Sequence, residues 1–185
     1  MNEFYKEQSL IIIKHDGVLR NLIGEVIRRF ENVCLHVVAL KMMWADDTLA
    51  GNHYKLTEEW ATSLFERTKT SKEKIGEKFA YTDPLVYGAL IQSWNKKFLM
   101  EGPVVAIVFE GPHAVELGRK LVGHTEPRQA LPGTIRGDYT YESYTISDAK
   151  KRPIRNLVHA SGSVEEARRE INLWFSKKEI HTYKY

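Results

Sequence analysis

The chain has 185 residues, enough for one domain that buries its own apolar core without disulfides. Hydrophobic residues make up 43% of the chain and charged residues 28%, and no apolar run is long enough to cross a bilayer, so membrane-spanning proteins are excluded. The net charge of +3 is too small to indicate a nucleic-acid partner by itself.

Cysteine and histidine usage indicates a reducing compartment and gives little support for a built-in metal site. Cys34 is the single cysteine, and the 7 histidines show no paired spacing typical of zinc ligands. Residues 1–9 lack the apolar core of a signal peptide. We therefore expect a cytoplasmic protein.

The first part of the chain predicts two strands on either side of an amphipathic helix. Leu10 to Ile13 and Leu35 to Met43 are apolar runs typical of strands. Between them, apolar residues recur at helical spacing from Leu19 to Phe30, with arginines available for the opposite face. Asp46-Asp47 then opens a brief helical turn that runs to His53-Tyr54.

The rest of the chain continues this alternation after a charged segment. Thr57 caps a further predicted helix, whereas Arg67 to Lys78 has no persistent apolar face and is interpreted as a solvated insertion. The remaining predicted elements are a helix from Asp83-Pro84, a strand at Val104 to Phe109, a helix at Ala114 to Val122, a long loop, a strand at Leu157 to His159, and a helix from Ser163 to near Phe175.

This order contains two split strand-helix-strand units, which predict an α+β fold. We expect a ferredoxin-like βαββαβ antiparallel sheet with helices on one face, in a single domain that spans residues 1–185.

His159 follows a short apolar run and precedes a well-marked helix start. Ser163 and Glu166 have the spacing of a capping box, so the imidazole is expected at the exposed end of a strand. It is either a nucleophile or a half-buried structural histidine. Glu170, on the following helix, could fix its tautomer by accepting a hydrogen bond from one ring nitrogen, or could simply be solvated.

The segment from Arg119 to Arg136 mixes cations and hydroxyls with glycines and prolines. Arginine forks, the Thr125 hydroxyl and closely approaching backbone amides suit an anion, and a solvated loop is the alternative. The two commonest glycine-rich phosphate motifs are missing from the sequence, so side chains would have to bind a nucleotide. Lys14 could neutralise a phosphoryl group in transfer, or be an exposed strand-end lysine.

Four separated motifs occur along the chain: Lys14-His15-Asp16-Gly17-Val18, the His53-Tyr54 pair, Pro132 to Tyr139, and Asn156 to Ser163. In the same order, they resemble the Lys-Pro-Asp-Gly-Val motif, the His-Tyr pair, the Pro-Gly-Thr-Ile-Arg-Gly-Asp-aromatic loop and the active-site Asn-x-x-His-Gly-Ser-Asp-Ser segment of the nucleoside diphosphate kinase family. The resemblance covers most of the chain outside two insertions, at approximately 61–83 and 140–152.

The resemblance implies a ping-pong kinase that moves the γ-phosphate of ATP, or another nucleoside triphosphate, to a nucleoside diphosphate through a phosphohistidine. His159 would be the nucleophile, and Glu170 and Lys14 the other catalytic residues. The implied nucleotide-binding positions are Lys14, Tyr54, Trp60, Arg119, Thr125, Arg136, Asn156 and Ser161. Mg²⁺ would arrive bound to the nucleotide phosphates, and the chain would form a dimer-based tetramer or hexamer.

The chain departs from the family pattern at His15, Ala160 and Gly162, where the family has proline, glycine and aspartate. None of these changes removes the reacting group. The insertions matter more, because they cover the base-binding region and are longer than the usual connections of compact domains.

The family's base-stacking phenylalanine has no clear counterpart in this chain. Trp60 and Phe65 are candidates, each of which could instead be a core aromatic, and Tyr141 and Tyr144 of the second insertion could also approach the base. A nucleotide-sensing or nucleic-acid-binding protein on the same scaffold is the alternative function, suggested by the insertions and the pI near 8.8. A phosphohistidine hydrolase or protein phosphotransferase is a third.

Overall fold

The computed structural model describes residues 6–74, 76 and 78–183. Its strands are β1 (Gln8–Ile13), β2 (His36–Met43), β3 (Val104–Glu110) and β4 (Val158–Ala160). Its helices are α1 (His15–Leu19), α2 (Ile23–Glu31), α3 (Asp47–His53), α4 (Glu58–Lys74), α5 (Pro84–Leu99), α6 (Ala114–Val122), α7 (Ile135–Tyr139), α8 (Tyr144–Ala149) and α9 (Val164–Trp174), with 3₁₀ turns at Pro127–Gln129 and Lys177–Glu179. The short helices α7 and α8 lie where the sequence predicted a loop.

The four strands form one sheet in the order β2-β3-β1-β4, and every neighbouring pair is antiparallel. The apolar run of β1 occupies the interior of the sheet, where Ile12 is opposite Ala106 on one side and His159 on the other. The α+β class and the antiparallel βαββαβ order are therefore confirmed. Since β4 pairs with β1, the predicted nucleophile is held against the most buried strand of the molecule.

Helices cover both faces of the sheet, so the expectation of helices on one face is wrong. Ile11 and Ile13 of β1 pack with α2 and α6, whereas Leu10 and Ile12 pack with residues of α3 and α9. Successive side chains of a strand point to opposite faces, and a strand that is apolar throughout must therefore be covered on both. The unbroken run Leu10 to Ile13 carried that signal.

The charged stretch that begins at Arg67, interpreted from the sequence as a solvated insertion, is part of a helix, and most of its described side chains are exposed. Helix α4 runs through it to Lys74 and packs against α5. Between the two helices, the rings of Phe65, Phe79 and Tyr87 pack edge to face, with centroids 5.0–6.5 Å apart. The helices α4 and α5 form a hairpin with an aromatic core of its own. The sequence did not reveal this core because its residues do not form one long apolar face on a single helix.

In the part of the chain that the structure describes, no helix combines the length and the hydropathy that crossing a membrane requires.

Candidate active site

A tight connection at the end of β1 fixes the backbone around the predicted nucleophile. Leu157, just before β4, has a φ of +67°, in the left-handed region that β-carbon sterics disfavour. Two hydrogen bonds hold it there: its N–H donates to Asp16 Oδ2 (3.1 Å), and its carbonyl accepts from the Lys14 N–H (2.8 Å). A β-carbon at Gly17 would lie 3.2 Å from the same carbonyl. The Lys14 to Gly17 motif therefore positions β4.

His159 lies on β4 with its side chain 16% exposed, and one ring nitrogen has a carboxylate partner. Its Nε2 is 3.0 Å from Glu170 Oε2 on α9. The same oxygen accepts a hydrogen bond from the Ser161 hydroxyl at 2.7 Å. Because a neutral imidazole that donates from Nε2 keeps its lone pair on Nδ1, this arrangement favours Nδ1 as the nucleophile.

Glu170 is 1% exposed and ionised despite that burial. Burial opposes its ionisation, but the charge of His159 and the hydrogen bonds from His159 and Ser161 outweigh it, so the pKa of Glu170 lies below its usual value. A buried carboxylate that stays charged can accept a hydrogen bond from the Nε2–H and stabilise positive charge on the ring. This is the role predicted for Glu170.

His53 is a second imidazole in the site, and in the sequence it stands out only as part of the His53-Tyr54 pair. Its ring packs edge to face on His159, with centroids 4.5 Å apart, and Trp174 Nε1 donates to its Nδ1 at 3.3 Å. Burial, followed by the charge of His159, holds the pKa of His53 well below its usual range. A neutral His53 supports the His159 ring without adding a competing charge. Tyr54 follows, with its ring 4.6 Å from that of His53.

Lys14, Asn156 and Arg136 form a buried polar cluster beside β4. Lys14 Nζ donates to Asn156 Oδ1 at 2.8 Å and lies 5.4 Å from the centroid of the Phe98 ring. Burial and the neighbouring Arg136 lower the pKa of Lys14 to about 8, although Asp16 opposes the shift. Lys14 is thus a buried lysine held by Asn156, and the alternative of an exposed strand-end lysine is wrong.

Arg136 is 5% exposed and uses most of its guanidinium to hold backbone. It donates to the carbonyls of Asn156 (3.1 Å), Gly123 (2.9 Å) and Val158 (2.6 Å). Burial, followed by the charge of Arg119, lowers the pKa of Arg136 to about 10. A guanidinium carries five N–H groups, so about two remain for a ligand. The structure therefore gives Arg136 a scaffolding role that the loop motif alone did not reveal.

The other predicted nucleotide contacts lie around this cluster. Arg119 is exposed in the last turn of α6, and its charge acts on Arg136. Thr125 is exposed, and its carbonyl accepts from Asn156 Nδ2 at 2.9 Å. Trp60 is half-buried near the start of α4. Phe65 is 7% exposed inside the hairpin's aromatic cluster, which makes it a core residue.

Among the described residues, one group of side chains has the spacing of possible metal ligands. His53, His159 and Glu170 offer potential ligand atoms within 4.8 Å of one another. Those atoms are engaged with each other and with Trp174, an arrangement that suits orientation of the imidazole. Mg²⁺ binds nucleotides mainly through phosphate oxygens and retained water. Delivery of Mg²⁺ by the nucleotide therefore fits these residues and stays a prediction.

Three residues of the site were absent from the predicted set. Asp16 lies in the Lys14 to Val18 motif but was not predicted to have a role of its own in the site. His53 was available from the His-Tyr pair, and Trp174 had only its place on the apolar face of the last helix as a signal. Each of the three contacts another residue of the site, and a sequence pattern does not show such indirect contacts.

A four-stranded antiparallel sheet that presents an oriented histidine beside buried cations is typical of an α+β phosphotransferase. Comparison with known proteins identifies the family within this class. The sequence model of the family "Nucleoside diphosphate kinase" matches residues 7–74 and 90–180. The chain belongs to the nucleoside diphosphate kinase family, and the resemblance seen in the sequence is confirmed.

Individual relatives agree over nearly the whole chain. A nucleoside diphosphate kinase from Pyrobaculum aerophilum is 42% identical over 178 residues, which cover 94% of this chain and 97% of the relative. One from Borreliella burgdorferi is 40% identical, with 96% and 92% covered. The crystal structure of an NDP kinase from Pyrobaculum aerophilum superposes with a TM-score of 0.91 at 39% identity, covering 96% of this chain and all of that one.

A second solved structure shows a ligand in a related enzyme. It is a transition-state mimic of the Borrelia burgdorferi nucleoside-diphosphate kinase with bound vanadate and ADP, and it superposes with a TM-score of 0.77 at 38% identity. It covers 96% of this chain and 92% of that chain.

Proposed function

We propose that this chain is a nucleoside diphosphate kinase that works by a ping-pong reaction at His159. Nδ1 attacks the γ-phosphorus of a nucleoside triphosphate such as ATP, and the bond to the β,γ-bridging oxygen breaks, with its electron pair leaving on the diphosphate. A second nucleoside diphosphate then attacks the phosphohistidine through its terminal phosphate oxygen, and the P–Nδ1 bond breaks with its electron pair returning to Nδ1. The observation that carries the proposal is the Nε2 contact with a buried, ionised Glu170, which leaves Nδ1 unprotonated.

The surrounding residues supply the electrostatics that phosphoryl transfer needs. Charge spreads over the oxygens of the transferring group, and fixed cations in a partly dehydrated site stabilise it. Lys14 and the free N–H groups of Arg136 are such cations, and Arg119 lies beside them. Asn156, Tyr54 and Thr125 would contact the sugar and phosphates, Trp60 the base, and Ser161 would act through Glu170. Mg²⁺ carried by the nucleotide would neutralise phosphate charge.

Labelling separates this proposal from its alternatives. With [γ-³²P]ATP the protein should retain label that is stable to alkali and labile to acid, and added GDP should convert that label into GTP. His159→Ala should abolish retention and transfer while nucleotide binding persists. A nucleotide sensor or nucleic-acid-binding protein would bind without retaining label. A hydrolase would release phosphate, and a protein phosphotransferase would label another protein. Either result would contradict the proposal.

We also propose a homo-oligomer built from dimers. Strand β2 lies at one edge of the sheet, and its Leu40 and Met42, with Trp44 just beyond, are 49%, 56% and 63% exposed. Apolar side chains along a sheet edge favour contact with another chain. Sedimentation analysis of the protein and of a Met42→Glu variant tests this, and a wild-type monomer at micromolar concentration would contradict it. Cytoplasmic localisation is proposed from cysteine usage and is checked by cell fractionation.

A further inference from the structure

Glu126 is a buried carboxylate in the loop that carries Thr125, and the mechanism above does not use it. It is 2% exposed. Its Oε1 accepts a hydrogen bond from the backbone N–H of Tyr144 (3.1 Å) and lies 3.3 Å from Arg128 Nε, and its Oε2 accepts from Gln129 Nε2. A buried carboxylate is costly unless it is satisfied, so these contacts fix Glu126 in place.

The contact with Tyr144 joins two segments that are distant in sequence. Tyr144 is the first residue of α8, in the segment predicted to be the second insertion. A second bond lies beside it, from the Arg128 N–H to the Glu142 carbonyl at 3.0 Å. Arg152 in turn holds the Glu142 side chain through two hydrogen bonds of 2.8 and 3.1 Å. The second insertion is thus held by its own internal ion pair and is hydrogen-bonded to the loop that carries Thr125.

The other side of the loop is attached to the predicted phosphate site. The Gly123 carbonyl accepts from Arg136, and the Thr125 carbonyl accepts from Asn156, the residue that also holds Lys14. Thr125 therefore lies between a contact to Asn156 through its own carbonyl and a contact to α8 through the next residue. Loss of either would leave its hydroxyl free to shift.

We propose that Glu126 is a positioning residue, whose carboxylate uses the second insertion as a brace to set the Thr125 hydroxyl against the phosphates of the bound nucleotide. This rests on the proposed function. The insertion would then support phosphate binding as well as lie near the base. If Glu126 has only a structural role, its substitution should affect folding. The rate of His159 phosphorylation should then fall by the same factor with a nucleotide donor as with other donors.

Two phosphoryl donors separate these roles. ATP uses the phosphate contacts, whereas phosphoramidate, a small donor without a nucleotide, needs only His159 and its orientation. In Glu126→Ala we expect the rate constant for phosphorylation of His159 by ATP at subsaturating concentration to fall roughly 10-fold to 100-fold, with phosphoramidate reactivity kept within about 2-fold. Glu126→Gln retains an acceptor oxygen for the Tyr144 N–H and should recover part of the loss.

Glu110 provides a matched control. It is 5% exposed and also bonded to a glutamine side chain, Gln8 Nε2 at 2.7 Å, but it lies at the end of the sheet opposite Lys14. Glu110→Ala should leave the ratio of the ATP and phosphoramidate rate constants unchanged.

Tyr144→Pro removes the donated N–H without relying on Glu126 itself. Proline is tolerated at the first position of a helix, and Ser143 has φ −140° and ψ 162°, which a following proline accepts. Tyr144→Ala removes the side chain and keeps the N–H. We expect Tyr144→Pro to lower the ATP rate constant about 10-fold below that of Tyr144→Ala.

Three results would overturn the inference: equal losses with both donors in Glu126→Ala, no loss with ATP, or identical rates for the proline and alanine variants of Tyr144. Failure of the wild-type protein to phosphorylate His159 from ATP would instead overturn the proposed function, so the two failures are distinguishable.

Discussion

The sheet end that carries His159 and the helical hairpin α4–α5 are held together in different ways. At the sheet end, buried side chains such as Asp16, Asn156 and Arg136 bond to backbone groups. Two of the contacts there, from Asp16 to Leu157 and from Lys14 to Asn156, join parts of the chain more than a hundred residues apart. The hairpin instead packs on neighbouring aromatics, and Lys72 and Asp148, 3.0 Å apart, form an ion pair between it and α8. The groups proposed to bind the transferring phosphate are fixed by directional bonds, while the region expected near the base is held by packing.

This difference has a physical consequence. Hydrogen bonds fix angles and positions closely, as a reacting nitrogen requires. Aromatic packing tolerates small shifts, and a ring that stacks on a base accepts any of the bases. We therefore expect substitutions at the sheet end to change rates of phosphoryl transfer, and substitutions in the hairpin to change stability or nucleotide affinity.

Glu170→Ala should give the largest effect. Without its carboxylate, the His159 ring loses the partner that fixes its tautomer, and the single-turnover rate of phosphorylation by ATP should fall about 10²-fold to 10³-fold. Glu165→Ala, at an exposed position of the same helix, is the control and should react at the wild-type rate. A loss below about 3-fold in Glu170→Ala would mean that another group orients the ring.

Phe65→Ala tests the hairpin as a packed unit. Truncation of a buried phenylalanine should lower the free energy of unfolding by about 3 kcal/mol, with kcat little changed. Denaturant unfolding measures the loss, and Tyr141→Ala, at an 81% exposed position, should change the free energy of unfolding by less than about 0.5 kcal/mol. Trp60→Ala should behave differently, with KM raised for every nucleotide. A larger rise of KM in Phe65→Ala would reverse the two assignments.

Lys14 predicts an alkaline limit to activity. Its pKa of about 8 leaves the ammonium charged below that pH and neutral above it, so kcat/KM should decline as the pH rises through about 8. Lys14→Arg keeps the charge and should remove that limb of the profile. Stability should change in the opposite direction: the folded state binds this proton more weakly than the unfolded chain, so the contribution of Lys14 to the free energy of unfolding rises between about pH 8 and its unfolded pKa. An unchanged profile in Lys14→Arg would assign the limit to another group.

Asp148→Asn should give the smallest effect, because the ion pair with Lys72 is partly solvated and such pairs contribute roughly 0.2–1 kcal/mol. Glu142→Ala leaves Arg152 without a carboxylate in a largely buried position and should cost more, about 3 kcal/mol. Thermal unfolding of both variants in the same buffer makes the comparison. Equal losses of stability in the two variants would mean that α8 is held as much by the Lys72–Asp148 ion pair with the hairpin as by the Arg152–Glu142 ion pair.

The strands were predictable because their apolar runs are short, continuous and bounded by polar residues, and their observed ends differ from the predicted ones by one or two residues. His159 and Glu170 were paired through the family resemblance. The helix start at Ser163 placed Glu170 on the following helix but left open whether it was solvated. The burial of Lys14 was not predictable, since it depends on Asn156, which is brought near by the left-handed turn at Leu157. The helical form of the stretch from Arg67 to Lys74 was not predictable, because the stretch has no persistent apolar face and the aromatic contacts of the hairpin are made by Phe65, Phe79 and Tyr87.

The order of strands in the sheet has a consequence for the integrity of the chain. β1 and β2 lie in the part of the chain before the α4–α5 hairpin, and β3 and β4 lie in the part after it. Strands of the two parts alternate in the sheet, in the order β2-β3-β1-β4. Each strand is therefore bonded only to strands of the other part. Cleavage of the chain between α4 and α5 would yield two pieces, one with Lys14 and the other with His159. Neither piece alone could assemble this sheet. Mixed together, they hold every hydrogen bond that the sheet needs.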